Sequence, residues 1–262
     1  MEIVVCIKQV PDTTEVKFDP NTNTLIRQGV PSIVNPFDKN AVEAALQLRE
    51  AYGGKVTVLS MGPIQAKDAL KECLAMGADS AILINDQVFS AADALATSYT
   101  LAAAICKIGS YDIILCGKQA IDGETSLVGS EIAERLQIAQ VTYASKIEIE
   151  GNVAKIEREH EEGCQFIEST LPALVTVIRT SNYEPRFPTV KGTMKANRTE
   201  IAVWTASDLD VKEEQIGYKG SSARVCKISS PPRRLQGVLI QEETAREAVS
   251  TLLAKLADAK II

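Results

Sequence analysis

The chain has 262 residues, 45% hydrophobic and 24% charged, an ordinary globular composition with room for one large domain or two small ones. Its 28 basic residues against 34 acidic ones give a net charge of −6, which excludes the basic surface of a general nucleic-acid binder. Cys6, Cys73, Cys106, Cys116, Cys164 and Cys226 include no CxxC pair, and the single His160 sits in an acidic run without a carboxylate at metal spacing, so no metal site is expected. The cysteines read as reduced, mostly core residues of a cytoplasmic protein. The opening "MEIVVCIKQV" reads as a first strand rather than a leader, and no stretch approaches the ~20 apolar residues of a membrane span.

Apolar runs of strand length recur at 3–7, 55–60, 80–84 and 111–116, with helical patterns between them. The first helix follows "NPFD", with Asn35 or Asp38 as its cap and Pro36 in its first turn, and stops at Gly53-Gly54. A second ends at Gly77, a third is rich in alanine, and a fourth is predicted to begin near Glu124. Buried strands alternating with helices predict an α/β fold, a mostly parallel sheet with helices on both faces. After about residue 140 the pattern changes. Residues 145–159 alternate about Gly151-Asn152 and predict an exposed antiparallel hairpin, 171–180 a buried strand, and 182–197 a long loop. A proline-rich connector at 227–237 precedes a last helix, with Ala248, Leu252, Ala254 and Leu256 as candidate buried positions.

Ligands of such sheets bind beyond the carboxyl ends of the strands. There the chain reads "GKQAIDGETSLVG", Gly117 to Gly129, which is neither a P-loop nor a G-x-G-x-x-G. A helix starting after it offers unpaired N–H groups and partial positive charge to a phosphate. Lys118 adds a full charge, Thr125 and Ser126 add hydroxyls, and Gly117 and Gly123 allow close backbone approach. Asp122 and Glu124 repel phosphate, but suit ribose hydroxyls or the helix start. The bland alternative is a well-capped strand–loop–helix joint, with Lys8 and Asp12 as surface charges near Pro11. No nucleophile–base pairing occurs, so no catalytic side chain is assigned, and any redox chemistry falls to a bound cofactor.

The landmarks "VVCIKQVPDT" (4–13), "NPFDKNAVEAAL" (35–46), "LSMGP" (59–63), "CLAMGAD" (73–79), "GKQAIDGET" (117–125), "LPALVTV" (171–177) and "EPRFPTVKGTMKA" (184–196) together resemble the small (beta) subunit of electron-transfer flavoproteins along essentially the whole chain. The resemblance implies a Rossmann-like, nucleotide-binding α/β domain over 1–226 and a C-terminal arm over 227–262 that packs on the alpha subunit. It implies that Gly117, Lys118, Gln119, Ala120, Ile121, Asp122, Gly123, Glu124, Thr125, Ser126, Leu127 and Val128 hold an adenine nucleotide. Cys6, Asn35, Pro36, Phe37, Asp38 and Met61 match further contacts, and backbone N–H groups near Met61 and Gly62 are candidate tuners of a flavin. The region 184–196 matches the docking loop for acyl-CoA dehydrogenases, with Val190 as its apolar anchor. "VPDT" and "DGETSLVG" resemble the electron-bifurcating group, in which the nucleotide is FAD reduced by NADH, with ferredoxin and an enoyl-CoA-reducing flavoenzyme as acceptors. Pro11, Asp12 and Thr13 then lie near the NADH. Leu127 departs from that group, which carries glutamine there. The alternative is a non-bifurcating member that holds AMP and acts as scaffold and docking module.

Overall fold

A computed structural model describes residues 1–12, 31–179, 184–223 and 237–262, together with the backbone of 17–19 and 24–26. Thr13, Cys226 and almost all of the proline-rich connector lie outside the described residues. The chain divides into two compact units, Met1–Cys226 and Lys227–Ile262.

The first unit is built on one nine-stranded sheet. In chain order its strands and helices begin β1 (Glu2–Ile7), β2 (Gln9–Pro11), β3 (Lys17–Asp19), β4 (Thr24–Ile26), β5 (Ser32–Val34), α1 (Pro36–Tyr52), β6 (Lys55–Met61), α2 (Lys67–Met76), β7 (Ser80–Ile84), α3 (Ala94–Ile108), β8 (Ile113–Gly117) and α4 (Val128–Leu136). They continue as β9 (Ala139–Glu150), β10 (Val153–His160), β11 (Gly163–Thr170), β12 (Ala173–Val177), α5 (Val190–Arg198), β13 (Ala202–Trp204) and α6 (Gly217–Gly220). The order across the sheet is β11-β10-β9-β12-β8-β1-β6-β7-β13. From β9 through β13 every pairing is parallel, while β10 and β11 extend the sheet antiparallel. The expected α/β architecture is therefore present, and the expected hairpin is β9–β10, turning at Gly151 with φ 60°.

The reason for the parallel core lies in the strands themselves. Ile3, Val5 and Ile7 point to one face with α1 and α2, while Val4 and Cys6 point to the other with α3 and α4. Both faces are buried, so the strands are continuous apolar runs rather than alternating ones. From β1 the chain winds outward through β6 and β7, then returns through α3 to β8 on the other side of β1. The reversal of strand order between β1 and β8 opens a crevice at their carboxyl ends, the position where ligands of doubly wound sheets sit.

Two expectations are corrected. The fourth helix begins at Val128, not near Glu124, because Glu124 and Ser126 both take positive φ (51° and 57°) and interrupt it. Residues 190–198, expected as loop, form α5, since Thr189 accepts from the Gly192 N–H and caps a helix. In the second unit α7 (Ala245–Asp258) has a Thr244–Glu247 capping box, but none of its residues is buried. Its positions Ala248 and Leu256 are half-buried and Leu252 and Ala254 exposed. Among the cysteines, Cys6, Cys73 and Cys116 are buried, whereas Cys106 and Cys164 are exposed.

Ile114 is fully buried in β8, between β1 and β12. Ile114→Ala is expected to cost about 3 kcal/mol of unfolding free energy through the cavity it leaves, read as a lowered urea midpoint with unchanged slope.

Candidate functional site

At the crevice, two buried side chains from the start of α1 join three segments. Asn35 does not cap its own helix. Its Nδ2 donates to the Gln119 carbonyl at 2.8 Å and its Oδ1 accepts from the Ile121 N–H at 3.2 Å, so it holds the loop after β8. Its own N–H donates to the Lys8 carbonyl at 2.9 Å. Asp38 likewise reaches outward, accepting from the Lys8 N–H at 2.7 Å and the Gly117 N–H at 3.2 Å. Burial pushes the Asp38 carboxyl up from 3.8 to about 7, although its hydrogen bonds to Asn35, Lys8 and Gly117 pull the other way.

Gly117 is needed for this arrangement, in a way its sequence did not suggest. A Cβ there would lie 2.3 Å from Asp38 Oδ1 and 2.6 Å from the Phe37 carbonyl carbon, so the glycine admits α1 rather than a ligand. Gly123 has open space around the same position. Gly129 packs α4 onto β12, where a Cβ would meet the Thr176 methyl at 2.8 Å.

The charges are also arranged. Lys8 Nζ donates to both Asp122 oxygens at 2.7 Å, which neutralises one of the two acids that would oppose phosphate. Glu124 is exposed. Lys118 Nζ sits 5.7 Å from the Phe37 ring centroid and 5.6 Å from that of Tyr143, a cation between two aromatic faces. Ser126 Oγ donates to Gln119 Oε1 at 2.9 Å, so this hydroxyl braces the loop. Pro36 is exposed and Ala120 half-buried, with the Ala120 carbonyl accepting from the Glu124 N–H at 2.9 Å.

Beyond that turn, the N–H groups of Thr125, Ser126, Leu127, Val128, Gly129 and Ser130 have no internal acceptor among the described residues. The last three are the free donors of any helix start. The others join them because Ser126 takes positive φ and Leu127 is right-handed helical, the alternation that gathers successive N–H groups into an anion-binding concavity. Positive φ at two residues other than glycine is strain held at a site.

Tyr143 was not found from sequence. It has φ 61°, unusual for so bulky a residue, and lies where β9 carries one extra residue against Thr176. Its N–H donates to Thr176 Oγ1 at 3.1 Å. A register shift leaves no local pattern to read.

The remaining expected residues lie on β1, at the end of β6, on the β2–β5 ribbon and on α5. Cys6 pairs in register with Cys116, and both side chains lie in the core. The neighbouring Cys6 thiol and burial push the Cys116 thiol well above its usual range, which leaves it unreactive. Met61 ends β6, and the Gly62 N–H donates to the Ile84 carbonyl at 3.1 Å. Pro11 and Asp12 lie on the β2–β5 ribbon, held by the Asp12 N–H to the Pro31 carbonyl at 2.8 Å. Val190 is 82% exposed on α5, against the end of α2 that feeds the start of β7, and so is far from the carboxyl ends of the strands.

A model of the electron transfer flavoprotein domain matches residues 22–209. The chain belongs to the electron-transfer flavoprotein family, among its beta subunits. It is 51% identical to the electron transfer flavoprotein subunit beta of Megasphaera elsdenii over the full length of both chains. It is 51% identical to the same subunit of Clostridium acetobutylicum, covering 98% of each chain. It is 47% identical to the caffeyl-CoA reductase-Etf complex subunit CarD of Acetobacterium woodii, again over the full length of both. The electron-transfer flavoproteins are flavin-associated carriers. Among the described residues no three His, Cys, Asp or Glu side chains could share a metal, and no helix is long and apolar enough to cross a membrane.

The free N–H groups of 125–130, beside a neutralised Asp122 and a buried Asp38, fit the diphosphate of a nucleotide. Gly117→Ala is expected to cost about 2 kcal/mol by overpacking the start of α1 and to lower retention of bound nucleotide, while Gly123→Ala leaves both nearly unchanged. Thermal unfolding and nucleotide content after gel filtration check the pair. Because the folded state raises the Asp38 pKa from 3.8 to about 7, the stability from its proton is complete below about pH 4 and lost as pH rises through 7. Relative to Asp38→Asn, the wild-type chain should therefore lose up to about 4 kcal/mol between pH 4 and pH 8, measured by urea unfolding of both at each pH.

Proposed function

We propose that the chain is the nucleotide-holding beta subunit of an electron-bifurcating electron-transfer flavoprotein, working with an alpha subunit. The nucleotide is FAD, whose chemistry when bound is to take hydride from NADH and part its electrons between ferredoxin and, through a second FAD on the alpha subunit, an enoyl-CoA-reducing flavoenzyme. The observation that carries this reading is the run of six unpaired N–H groups at 125–130, placed at the switch point of the sheet beyond β8.

The chain's own residues bind and orient. Leu127, Val128 and Gly129 present backbone donors to the diphosphate, and Thr125, with no internal partner for its hydroxyl among the described residues, adds one more. Asn35 and Asp38 keep the loop after β8 fixed against β1, so those donors are in place before the ligand arrives. Lys8 pairs with Asp122 and offsets its charge beside the loop. Lys118, between Phe37 and Tyr143, keeps a positive charge beside the loop. Pro11 and Asp12, at the end of β2, line the side where NADH would approach. The kinship with CarD, a subunit of a reductase–Etf complex by its name, supports the bifurcating reading. The segment 184–198, with Val190 exposed, is the docking surface for the acyl-CoA dehydrogenase partner, and the solvent-facing α7 belongs to the arm that packs on the alpha subunit.

Denaturing the purified complex and measuring the released ligands by absorbance and mass tests this directly. Two flavins per alpha–beta pair, with both bleached by NADH, is the expected result. One flavin and one AMP would overturn it and leave the chain as a scaffold.

A further inference from the structure

Ahead of α5, Arg186 makes five hydrogen bonds to two carboxylates of α1. Its backbone N–H and Nε donate to Glu43 Oε2 at 3.1 and 2.8 Å, and Nη2 donates to Glu43 Oε1 at 3.0 Å. Nη1 and Nη2 donate to the Glu50 oxygens at 2.5 and 3.1 Å. Glu43 and Glu50 lie two turns apart on one helix face. Gln47, between them, donates to Glu43 Oε1 at 2.9 Å and sets its rotamer. Glu43 is only 4% exposed. Burial would raise its carboxyl, but the side-chain and backbone bonds from Arg186 and the Gln47 amide hold it below the usual carboxylate range.

What the clamp secures is unusual. Phe187 and Val190 are each 82% exposed and Met194 is 56% exposed, so these apolar side chains contribute little to the core. Behind them Gly192 lies so close to the end of α2 that a Cβ would sit 2.1 Å from the Ala75 carbonyl oxygen. The segment is therefore held from beneath by backbone contact and by a guanidinium fork, while its apolar groups face outward. Glu43 is buried while Glu50 is exposed, so loss of Arg186 alone would leave a buried carboxylate without its partner. A lysine cannot replace the fork, because it lacks the planar set of donors that spans two carboxylates.

We infer that Arg186 is a positioning residue that fixes the 184–198 segment on α1, so that Phe187, Val190 and Met194 meet the partner flavoenzyme as a preformed surface. This rests on the docking role proposed above. Helix α1 begins at Pro36, with Asn35 just before it and Asp38 in its first turn, so the same rod carries the loop contacts of the nucleotide site at one end and the docking segment along its length. Both are registered to one element.

The test uses the purified complex with Arg186→Met, and with Glu43→Gln/Arg186→Met, which leaves no orphaned buried charge. Hydrogen exchange of amides 186–196 is expected to speed up in both, with exchange at 117–130 unchanged. The apparent KM for the acyl-CoA dehydrogenase partner should rise about tenfold, while the rate at saturating partner changes less than twofold. Unchanged exchange in the segment, an unchanged KM, or a uniform loss of protection across both regions would overturn the inference. If the wild-type complex reduces no acyl-CoA dehydrogenase, the docking reading fails instead, and the exchange measurement still judges the clamp.

Discussion

The site depends on two side chains that sequence logic would assign to capping their own helix. Asn35 and Asp38 point away from α1 and satisfy backbone groups on the end of β1 and the loop after β8. The joints after β1 and β8 and the start of α1 are thus one hydrogen-bonded unit. Gly117 is its steric condition, because only a missing Cβ lets the Asp38 carboxyl come within reach of the Gly117 N–H.

Rigid loops without regular structure carry the donors. The turn at 120–124 closes with the Glu124 N–H on the Ala120 carbonyl, and the chain then passes through positive φ at Glu124 and Ser126. Glycine would take these angles without strain. Serine and glutamate hold them because Gln119 bonds the Ser126 hydroxyl and Asn35 bonds the Gln119 carbonyl. Strain at the donor loop is maintained by the same unit that fixes the strand ends, so the donors stay aligned in the free protein.

Much of the fold was legible in the sequence because buried parallel strands are short apolar runs, as β1, β6, β7 and β8 are. The helices between them end at Gly53, Gly77 and Gly109, where the chain takes positive φ. What was not legible depended on contacts distant in sequence. Asn35 looked like a cap because its partners lie more than eighty residues away. The start of α4 was placed four residues early because Leu127, its cap position, makes no side-chain bond. Helix α5 buries only Ala196 and so lacks the apolar stripe that marks a helix. The family could be recognised from ordered landmarks spread along the chain, but the ion pair of Lys8 with Asp122 and the place of Tyr143 had no local signature.

The position of β12 has a consequence for how the molecule is made. It slots between β8 and β9, both earlier in the chain. During synthesis β1, β6, β7 and β8 can pair as they emerge, but β9, β10 and β11 must wait as a separate meander. Only when residue 177 leaves the ribosome can the two parts be joined, and that step also supplies the Val177 carbonyl to the Lys118 N–H. The nascent chain therefore carries two unpaired edges, on β8 and on β9, until a late, long-range closure. The crevice acquires one of its walls last of all.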